Sequence, residues 1–310
     1  MNVVVAGGTG FIGRPLVGAL LARGDTVAVL TRSAAPDLPQ GARAVRWNAA
    51  PGGDGGWRSA IAGADAVVNL AGESIAAGRW SPARKGRIMA SRVHATRAIV
   101  EAMGADATRP RALISASAVG FYGPRGDEAV TEADGPGHDF LAKVCVAWEA
   151  EARRAEAHGA RVVLARLGLV LAGDGGALPR MALPFRLMAG GPLGAGTQWV
   201  PWIHRDDAIA LLLLLLRSGA AQGPVNAVGP APVRGRDFAC ELGRALGRPS
   251  WLPAPAPLLR LALGEAADAL LLAGQRALPR QAEALGYRFR YGAAAAALTA
   301  IYGRQPSRVP

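Results

Sequence analysis

The stretch VVVAGGTGFIGRPLVGALLARG, residues 3–24, carries the strongest structural signal in the chain. A run of β-branched residues leads into Gly7, Gly10 and Gly13, and a helical pattern follows at once. Glycines at this spacing permit a tight turn, let the backbone approach a pyrophosphate and allow close helix packing, while the helix N-terminus attracts the anion. The sequence therefore predicts a dinucleotide site. The turn residues assigned to it are Gly7, Thr9, Gly10, Phe11, Ile12 and Gly13.

Strand-like runs and helical patterns alternate through the first half of the chain. The strand-like runs lie at residues 2–6, 26–30, 42–47, 66–70, 111–115 and 161–167, and the helical patterns at 12–23, 82–103 and 139–158. This alternation is typical of a parallel sheet with helices on both faces, which binds ligands at the carboxyl ends of its strands. We predict an α/β fold with a Rossmann-type doubly wound parallel sheet and a smaller C-terminal substrate-side region.

The pattern changes after about Leu169, where loops rich in glycine and proline replace the alternation. Helical patterns return near residues 236–246 and 258–273, and the segment 204–226 is expected to rejoin the main sheet. We therefore assign residues 1–168 and 205–228 to the dinucleotide-binding Rossmann domain. Residues 169–204 and 229–310 are assigned to the smaller region.

The composition excludes some partners. The 310 residues are 51% hydrophobic, enough for a sizeable core, and the formal net charge is +12. Nearly all of the basic residues are arginines dispersed along the chain, whereas a nucleic-acid footprint should cluster. We expect a small-molecule substrate and no nucleic acid, and the sequence leaves the oligomeric state open.

The cysteines and the apolar runs indicate the cellular setting. Cys145 and Cys240 lie far apart in apolar helical contexts, which fits reduced, buried thiols better than a disulfide or a metal pair. The longest apolar run, residues 209–216, is far shorter than the roughly 18 residues that span a bilayer. No basic leader precedes the first strand. We expect a cytoplasmic protein without a membrane anchor, an export signal or a metal site.

The second strand indicates which dinucleotide is bound. It ends in VAVLTRS, residues 27–33, without an acidic residue that would bind the free ribose hydroxyls of NAD. Arg32 can pair instead with a 2′-phosphate, with Thr31 and Ser33 as hydroxyl donors. NADP is therefore the predicted cofactor. The alternative is that Arg32 is one more surface arginine.

Six motifs in order give the chain a family resemblance. They are GGTGFIG (7–13), NLAGE (69–73), SRVHAT (91–96), SASAVGFYG (115–123), WIHRDD (202–207) and LGYRFRY (285–291). In these motifs the chain resembles the extended short-chain dehydrogenase/reductase superfamily. Within it the chain is similar to the atypical epimerase-family, or cell-division-inhibitor-like, proteins with a C-terminal domain of unknown function.

The resemblance implies further cofactor contacts. The backbone of Leu70, Ala71 and Gly72 is expected against the ribose and nicotinamide side. Arg92 stands where relatives have an asparagine, and an arginine there could bind phosphate. The residues after the arginine of strand six, ending at Val170, are expected to wall the nicotinamide pocket.

Catalysis in the superfamily normally uses a tyrosine, a lysine four residues later and a serine that holds the substrate oxygen. The serine corresponds to Ser117, but the pair is missing. If Glu149 matches the glutamate one turn after the pair, the two positions are Leu141 and Cys145. If Lys143 is the lysine instead, the tyrosine position is Asp139. Neither register restores a phenol.

The 139–158 helix is expected to pack in the core, because Leu141, Cys145 and Trp148 recur at the i, i+4, i+7 spacing of a single helix face. Tyr122, five residues after Ser117, is the candidate proton donor, or else a packed aromatic. A thiolate at Cys145 would be opposed by Glu149.

Further aromatic and ionisable residues have two interpretations each. His204 is either a general base or, as we favour, structural, with Asp206 or Asp207 capping the next helix. The residues offered as apolar pocket walls or as core filling are Trp80, Phe185, Trp199 and Trp202.

Two functions are consistent with these residues. The first is an NADP-dependent oxidoreductase or epimerase-like enzyme, in which Ser117 holds a carbonyl or hydroxyl substrate and Tyr122 or water moves the proton. A sugar nucleotide enters as a possible substrate by family analogy alone. The second is a non-catalytic NADPH-binding sensor or regulatory protein.

Overall fold

The computed structural model describes residues 1–48, 56–76, 78–105 and 110–303. The strands are β1 Asn2–Ala6, β2 Thr26–Thr31, β3 Arg43–Arg46, β4 Ala66–Asn69, β5 Ala112–Ala118, β6 Ala129–Val130, β7 Arg161–Leu167, β8 Leu169–Leu171, β9 Trp199–Val200, β10 Trp202–His204, β11 Gly223–Ala227, β12 Val233–Arg234 and β13 Arg276–Ala277.

The α-helices are α1 Gly13–Ala22, α2 Gly56–Ala62, α3 Pro82–Met103, α4 Phe140–Arg153, α5 Leu178–Arg186, α6 Arg205–Arg217, α7 Gly235–Leu246, α8 Ala256–Leu263, α9 Glu265–Ala267, α10 Arg280–Ala284 and α11 Ala294–Tyr302. Short 3₁₀ segments cover Val119–Tyr122 and Arg154–His158, and Asp268–Leu272 forms a π-helical turn. No helix of the described ranges is both long and apolar enough to cross a lipid bilayer.

A parallel sheet forms the centre of the molecule, with the strand order β3-β2-β1-β4-β5-β7-β11. The chain leaves β1 toward β2 on one side and returns to β4 on the other. This reversal opens a crevice at the carboxyl ends of β1 and β4, where such sheets bind their ligands. The predicted Rossmann-type α/β fold is confirmed.

Both faces of the sheet are buried because alternate residues of each strand face opposite helical layers. Val3 and Val5 pack with α1 and α6, whereas Val4 and Ala6 pack with α2 and α3. Successive strand side chains point to opposite faces, so a strand covered on both sides is apolar throughout. The VVVA run of β1 therefore reflects burial between two layers of helices.

A further hydrophobic cluster lies outside the central sheet. Its largest members are Phe185, Trp202 and Phe238, with Leu171 and Leu298 packed among them. Trp202 is 1% exposed and Phe185 is 4% exposed, so both side chains fill this cluster rather than wall an open pocket. The boundary of the smaller region at 169–204 and 229–310 stays a prediction.

Several local features differ from the sequence-based expectation. The predicted helix 139–158 is α-helical only to Arg153 and ends in a 3₁₀ turn, with Asp139 accepting from the N–H of Ala142 at 2.7 Å. The helix predicted at 258–273 is interrupted at Gly264, whose φ is +62°. Helix α2 had no counterpart in the prediction, and residues 49–55 before it lie outside the described residues.

The expected cap of α6 is wrong. His204 caps this helix, because its Nδ1 accepts the N–H of Asp206 at 3.1 Å. Asp207 instead accepts from the hydroxyl of Tyr287 at 2.8 Å and from the N–H groups of Arg290 and Tyr291. The carboxylate thereby fixes the C-terminal LGYRFRY motif to the start of α6.

Candidate functional site

The glycine turn between β1 and α1 is held by close backbone contacts. Gly7 has φ +78°, and a Cβ there would lie 2.7 Å from the carbonyl carbon of Leu70. A Cβ at Gly13 would lie 2.1 Å from the carbonyl oxygen of Gly7. Only glycine lets the turn pack on the end of β4 and the helix pack on the turn. The geometry accounts for both positions of the motif.

The outer side of the turn is open. A Cβ at Gly10 would meet, among the described residues, only the carbonyl oxygen of Gly7, at 3.1 Å. The backbone N–H groups of Phe11 and Ile12 have no hydrogen-bond partner in the described part of the chain, and no side chain caps α1. Free N–H groups and the positive end of the helix dipole suit an anion such as a pyrophosphate.

The loop after β8 closes one side of this turn. Val170 and Ile203 belong to a buried hydrophobic cluster, and the partly buried side chains of Phe11 and Ile12 pack against it. A Cβ at Gly175 would lie 2.7 Å from the ring of Phe11, so the loop backbone packs directly on that ring. The structure thus brings Val170 next to the glycine turn.

The tip of β2 carries an unpaired cation. Arg32 is exposed, and no hydrogen bond or ion pair joins it to another described residue. Thr31 is buried, and its Oγ1 accepts the N–H of Ser33 at 3.1 Å, which shapes the turn after the strand. Arg32 is therefore available to an anionic ligand, whereas Thr31 stabilises the backbone.

A buried amide fixes the loop that follows β4. Asn69 is fully buried, donates to Oγ1 of Thr96 at 2.9 Å and accepts the N–H of Ala71 at 3.2 Å. The N–H of Leu70 donates to the carbonyl of Ala6 at 2.9 Å. These contacts place the backbone of Leu70, Ala71 and Gly72 beside the glycine turn. In the sequence Asn69 and Thr96 are recognisable only as parts of the NLAGE and SRVHAT motifs, and only the fold shows that they pair.

Arg92 reaches the same loop from α3. A Cβ at Gly72 would lie 3.1 Å from Cζ of Arg92, and the Nη1 of Arg92 donates to the carbonyl oxygen of Glu73 at 3.0 Å. The guanidinium also lies 5.1 Å from the ring centroid of Trp148 in α4. Burial lowers the pKa of Arg92, while Cys145 and Glu73 oppose the shift.

Ser117 and Tyr122 belong to one buried hydrogen-bond network. The hydroxyl of Ser117 donates to Oε1 of Glu149 at 2.6 Å, and Arg166 donates to both carboxylate oxygens of Glu149 at 2.9 Å. Arg166 also donates from Nη1 to the hydroxyl of Tyr122 at 2.9 Å. That hydroxyl in turn donates to Oδ1 of Asn226 at 2.7 Å. The network joins β5, β7, β11 and α4 at the carboxyl edge of the sheet.

The network also sets the ionisation of the phenol. Burial raises the pKa of Tyr122. The hydrogen bonds with Arg166 and Asn226 act in the opposite direction but do not reverse the shift. Tyr122 has no exposed surface, so it is protonated and enclosed at neutral pH.

Two members of this network were missed in the sequence. Arg166 is a charged residue inside the apolar run VVLARLGLV, and Asn226 is an amide inside GPVNAVG. Buried polar groups require partners, so both residues signalled a buried network. Only the fold shows which groups they meet.

The pairing of Glu149 also shows which face of α4 meets the sheet. Cys145, one turn before Glu149, is buried, and its Sγ lies 3.7 Å from the carbonyl oxygen of Ala118. Burial, aided by Glu149, raises the pKa of Cys145 to about 11, so its thiol is neutral at physiological pH. Lys143 is exposed, and helical residues two apart point in directions that differ by about 200°. Cys145 and Glu149 therefore lie on the side of α4 that meets β5, and Leu141 packs beside Gly120 in the turn after that strand.

His204 lies within packed structure. It is 7% exposed, its ring stacks on Tyr291 with centroids 4.0 Å apart, and burial lowers its pKa. These contacts support the structural interpretation of this histidine. In the described part of the chain, no group of three or more histidine, cysteine or acidic residues is placed to hold a metal ion.

Aromatic side chains remain partly exposed near the start of α4. Trp80 packs edge-on against Phe140 with centroids 5.2 Å apart, and the ammonium of Lys85 lies 5.0 Å from the Phe140 centroid. The guanidinium of Arg234 lies 4.0 Å from the ring centroid of Trp199. Trp80 and Trp199 thus remain available as walls for a ligand, unlike Trp202 and Phe185.

Comparison with known proteins places this geometry in context. The model of the NAD dependent epimerase/dehydratase family matches residues 3–228, and a domain of unknown function, DUF1731, matches residues 254–301. Epimerase family protein YfhF of Bacillus subtilis is 39% identical over 295 residues, covering 94% of each chain. The chloroplastic SDR39U1 homolog of Arabidopsis thaliana is 42% identical over 312 residues, covering 97% of this chain and 86% of its own.

Two solved structures are similar along nearly the whole chain. The human epimerase family protein SDR39U1, crystallised with NADPH, has a TM-score of 0.87 and 34% identity, covering 98% of this chain and 100% of its own. A nucleoside-diphosphate sugar epimerase from Corynebacterium glutamicum has a TM-score of 0.78 and 34% identity, covering 97% of this chain and 58% of its own.

Proposed function

Because the chain belongs to the NAD dependent epimerase/dehydratase family and has its NAD(P)-binding fold, we propose that it is an NADP(H)-dependent oxidoreductase or epimerase-like enzyme. Its substrate is a small carbonyl or hydroxyl compound, and its setting is the cytoplasm. The observation that carries the choice of NADP is Arg32, an exposed cation at the tip of β2 that pairs with no other described residue, at a strand end where no acidic residue stands. The NADPH of the human relative supports this choice.

The fit of the cofactor rests on the cradle around the glycine turn. Gly10 and the N–H groups of Phe11 and Ile12, which bond to no described residue, offer an open, electropositive surface to a pyrophosphate. The residues proposed to hold the cofactor are Gly7, Thr9, Gly10, Phe11, Ile12, Gly13, Thr31, Arg32, Leu70, Ala71, Gly72, Arg92 and Val170. Thr31 acts through the backbone turn that its hydroxyl stabilises.

The bound cofactor supplies a hydride donor or acceptor, and the protein must hold the substrate oxygen and provide its proton. Ser117 is proposed to hold the oxygen. Since its own proton is directed to Glu149, Ser117 has only oxygen lone pairs left for a ligand, which suits a substrate hydroxyl that donates its proton. Tyr122 is the proposed proton donor. To act, its hydroxyl has to exchange the hydrogen bond with Asn226 for one with the substrate or a water molecule.

A second function is favoured by the same network. The hydroxyl protons of Ser117 and Tyr122 are directed to protein acceptors. Neither register of the family motif on α4 supplies a tyrosine, since the two positions are Leu141 and Cys145 or else Asp139 and Lys143. A protein of this kind can bind NADPH without turnover and serve as a sensor or regulatory protein.

Cofactor binding is the first test. We would titrate the purified protein with NADPH and NADH by fluorescence and follow the complexes by native mass spectrometry. We expect tight binding of NADPH and weaker binding of NADH. Absence of binding to either would overturn both proposed functions, and the glycine turn would then be a remnant of the fold.

Turnover separates the two functions. A panel of carbonyl compounds and nucleotide sugars, the latter prompted by the Corynebacterium glutamicum relative, would be screened for consumption of NADPH or formation of an epimer. For an enzyme, we expect Ser117→Ala and Tyr122→Phe to abolish turnover while NADPH binding is retained. Binding without turnover on the whole panel would favour the sensor. Turnover that survives Tyr122→Phe would assign the proton to water.

A further inference from the structure

The segment that contains β13 and α10, residues 276–284, connects the C-terminal region to the candidate site. It lies within the stretch 254–301 that the DUF1731 model matches. Strand β13 pairs in parallel with β6, with Ala277 opposite Val130, and the N–H of Leu278 donates to the carbonyl oxygen of Val130 at 2.9 Å. Ala277 has no exposed surface and belongs to the same buried cluster as Tyr122. The segment therefore reaches the core around the candidate proton donor.

The carbonyl group of Leu278 decides which way the amide of Asn226 is turned. Nδ2 of Asn226 donates to this carbonyl oxygen at 2.9 Å. A carbonyl oxygen can only accept, so the amide nitrogen must face Leu278 and the amide oxygen faces the other way. That oxygen accepts the phenol proton of Tyr122 at 2.7 Å. A backbone group of the C-terminal region thereby fixes the direction of the Tyr122 hydroxyl.

Glu132 clamps the backbone of Asn226 to the same segment. Its Oε1 accepts the N–H of Asn226 at 2.9 Å and the N–H of Gln281, in α10, at 3.1 Å. Glu132 is 8% exposed, and its buried Oε2 has no hydrogen-bond partner among the described residues. Burying a carboxylate with one oxygen unpaired is unfavourable, and such departures from good packing are expected at functional sites. The clamp accounts for a charge at this position better than stability does.

The network around Tyr122 thus has two halves of different origin. Glu149 and Arg166 come from α4 and β7 and hold each other. Asn226 comes from β11, but the segment 276–284 holds both its side chain and, through the clamp, its backbone. The hydroxyl of Tyr122 accepts from Arg166 and donates to Asn226, so its position depends on both halves.

We propose that the C-terminal region takes part in the site by positioning Tyr122. Asn226 and Glu132 are the positioning residues, and the segment 276–284 holds them in place. This role rests on the proposed function, in which Tyr122 is the proton donor, and extends that function to the domain of unknown function. Held from two sides, the hydroxyl exchanges its bond with Asn226 for one with the substrate from a single starting position.

Carbon NMR of the Tyr122 ring measures this positioning without a substrate. The full-length protein is labelled with tyrosine that carries ¹³C at Cζ, and the signal lost in Tyr122→Phe belongs to Tyr122. The chemical shift of Cζ responds to the hydrogen bonds of the oxygen attached to it. Asn226→Leu removes both side-chain bonds and keeps the branched shape, and Glu132→Gln removes the charge and keeps one acceptor oxygen. The matched control is Glu283→Gln, an acid of α10 that pairs with Arg280 at the surface.

The expected result is a change confined to Tyr122. In Asn226→Leu the Tyr122 signal should move, and the signals of Tyr287, Tyr291 and Tyr302 should stay in place. Glu132→Gln should move the Tyr122 signal in the same direction by a smaller amount, and Glu283→Gln should move none. With a substrate from the panel, kcat of Asn226→Leu should fall roughly 10²-fold, the effect of misplacing a reacting group by about 1 Å, while KM changes little.

Two NMR outcomes would overturn the proposal. An unmoved Tyr122 signal in Asn226→Leu would remove the positioning role, and movement of all the tyrosine signals together would show a general structural role. If Asn226→Leu does not fold, Glu132→Gln decides, and an unmoved Tyr122 signal there has the same meaning. If the unsubstituted protein converts no substrate of the panel, the proposed enzyme fails, while the Tyr122 signal still decides whether the C-terminal region positions this residue.

Discussion

The hydroxyl of Ser117 donates a 2.6 Å hydrogen bond to Oε1 of Glu149, and both side chains are almost completely buried. Arg166 fixes this carboxylate through Nε and Nη2, each at 2.9 Å. The orientation of Ser117 is thus set by the core of the protein and not by a group in the crevice. Any role of Ser117 in chemistry depends on this buried ion pair.

Replacing Glu149 should strongly destabilise the fold. Glu149→Gln leaves the charge of Arg166 buried without a counter-ion, and breaking a buried pair in this way costs about 3–5 kcal/mol. Urea denaturation of the variant measures this loss. The control is Glu151→Gln on the same helix, whose partners Arg97 and Arg154 lie at the surface and whose loss should be much smaller. Equal losses in the two variants would contradict the central position of the Glu149–Arg166 pair.

Replacing Arg32 should change the cofactor preference. Because Arg32 is the exposed cation proposed for the 2′-phosphate, Arg32→Ala should weaken the binding of NADPH by roughly 10- to 150-fold and leave the binding of NADH almost unaffected. Fluorescence titration with both cofactors measures the change. Arg23→Ala, an exposed arginine at the end of α1, is the control and should alter neither affinity. Equal weakening of NADPH and NADH in Arg32→Ala would remove the phosphate assignment.

Two glycines of α1 should respond in opposite directions to alanine. At Gly13 the new Cβ would lie 2.1 Å from the carbonyl oxygen of Gly7, so Gly13→Ala should distort the turn and abolish NADPH binding. At Gly18 the nearest atom, a side-chain carbon of Pro39, is 4.0 Å away, so the variant should gain about 0.5–1 kcal/mol of stability from the better helix former. Thermal unfolding and NADPH titration check both variants. Retained binding in Gly13→Ala would show that the turn tolerates a shift.

The thiol of Cys145 should make the stability depend on alkaline pH. Burial, with Glu149 second, raises its pKa from the ordinary 9.0 to about 11, so the folded state holds this proton more tightly than the unfolded state. Its contribution is complete below about pH 9 and is lost as the pH rises toward about 11.

The free energy of unfolding should therefore fall more steeply over this interval in the unsubstituted protein than in Cys145→Ala. Urea denaturation at a series of pH values measures both curves, and the other ionisable groups, such as Tyr122, are common to the two proteins. Parallel curves would contradict the burial of this thiol. Cys145 should also resist thiol reagents in the native protein at pH 8 and react in denaturant.

The motifs of the sequence were sufficient to place the chain in its family, as the match over residues 3–228 confirms. They were insufficient for the ends of elements. The 139–158 pattern does not reveal where α-helix becomes 3₁₀ helix, because the apolar periodicity continues through both. The cap of α6 was misassigned because aspartate is the common capping residue, while here Asp207 is taken by Tyr287 and by the backbone of the C-terminal motif.

By itself, the sequence determined the α/β class, the glycine turn and the absence of an acidic residue at the tip of β2. These features depend on residues close together in the chain, since turn geometry and strand patterning are local. The tertiary structure decided which distant groups meet: Ser117 with Glu149, Tyr122 with Asn226, and Arg92 with the Gly72 loop. Such pairs are separated by many residues, and only the packing of helices on a sheet of fixed strand order brings them within hydrogen-bond or van der Waals distance.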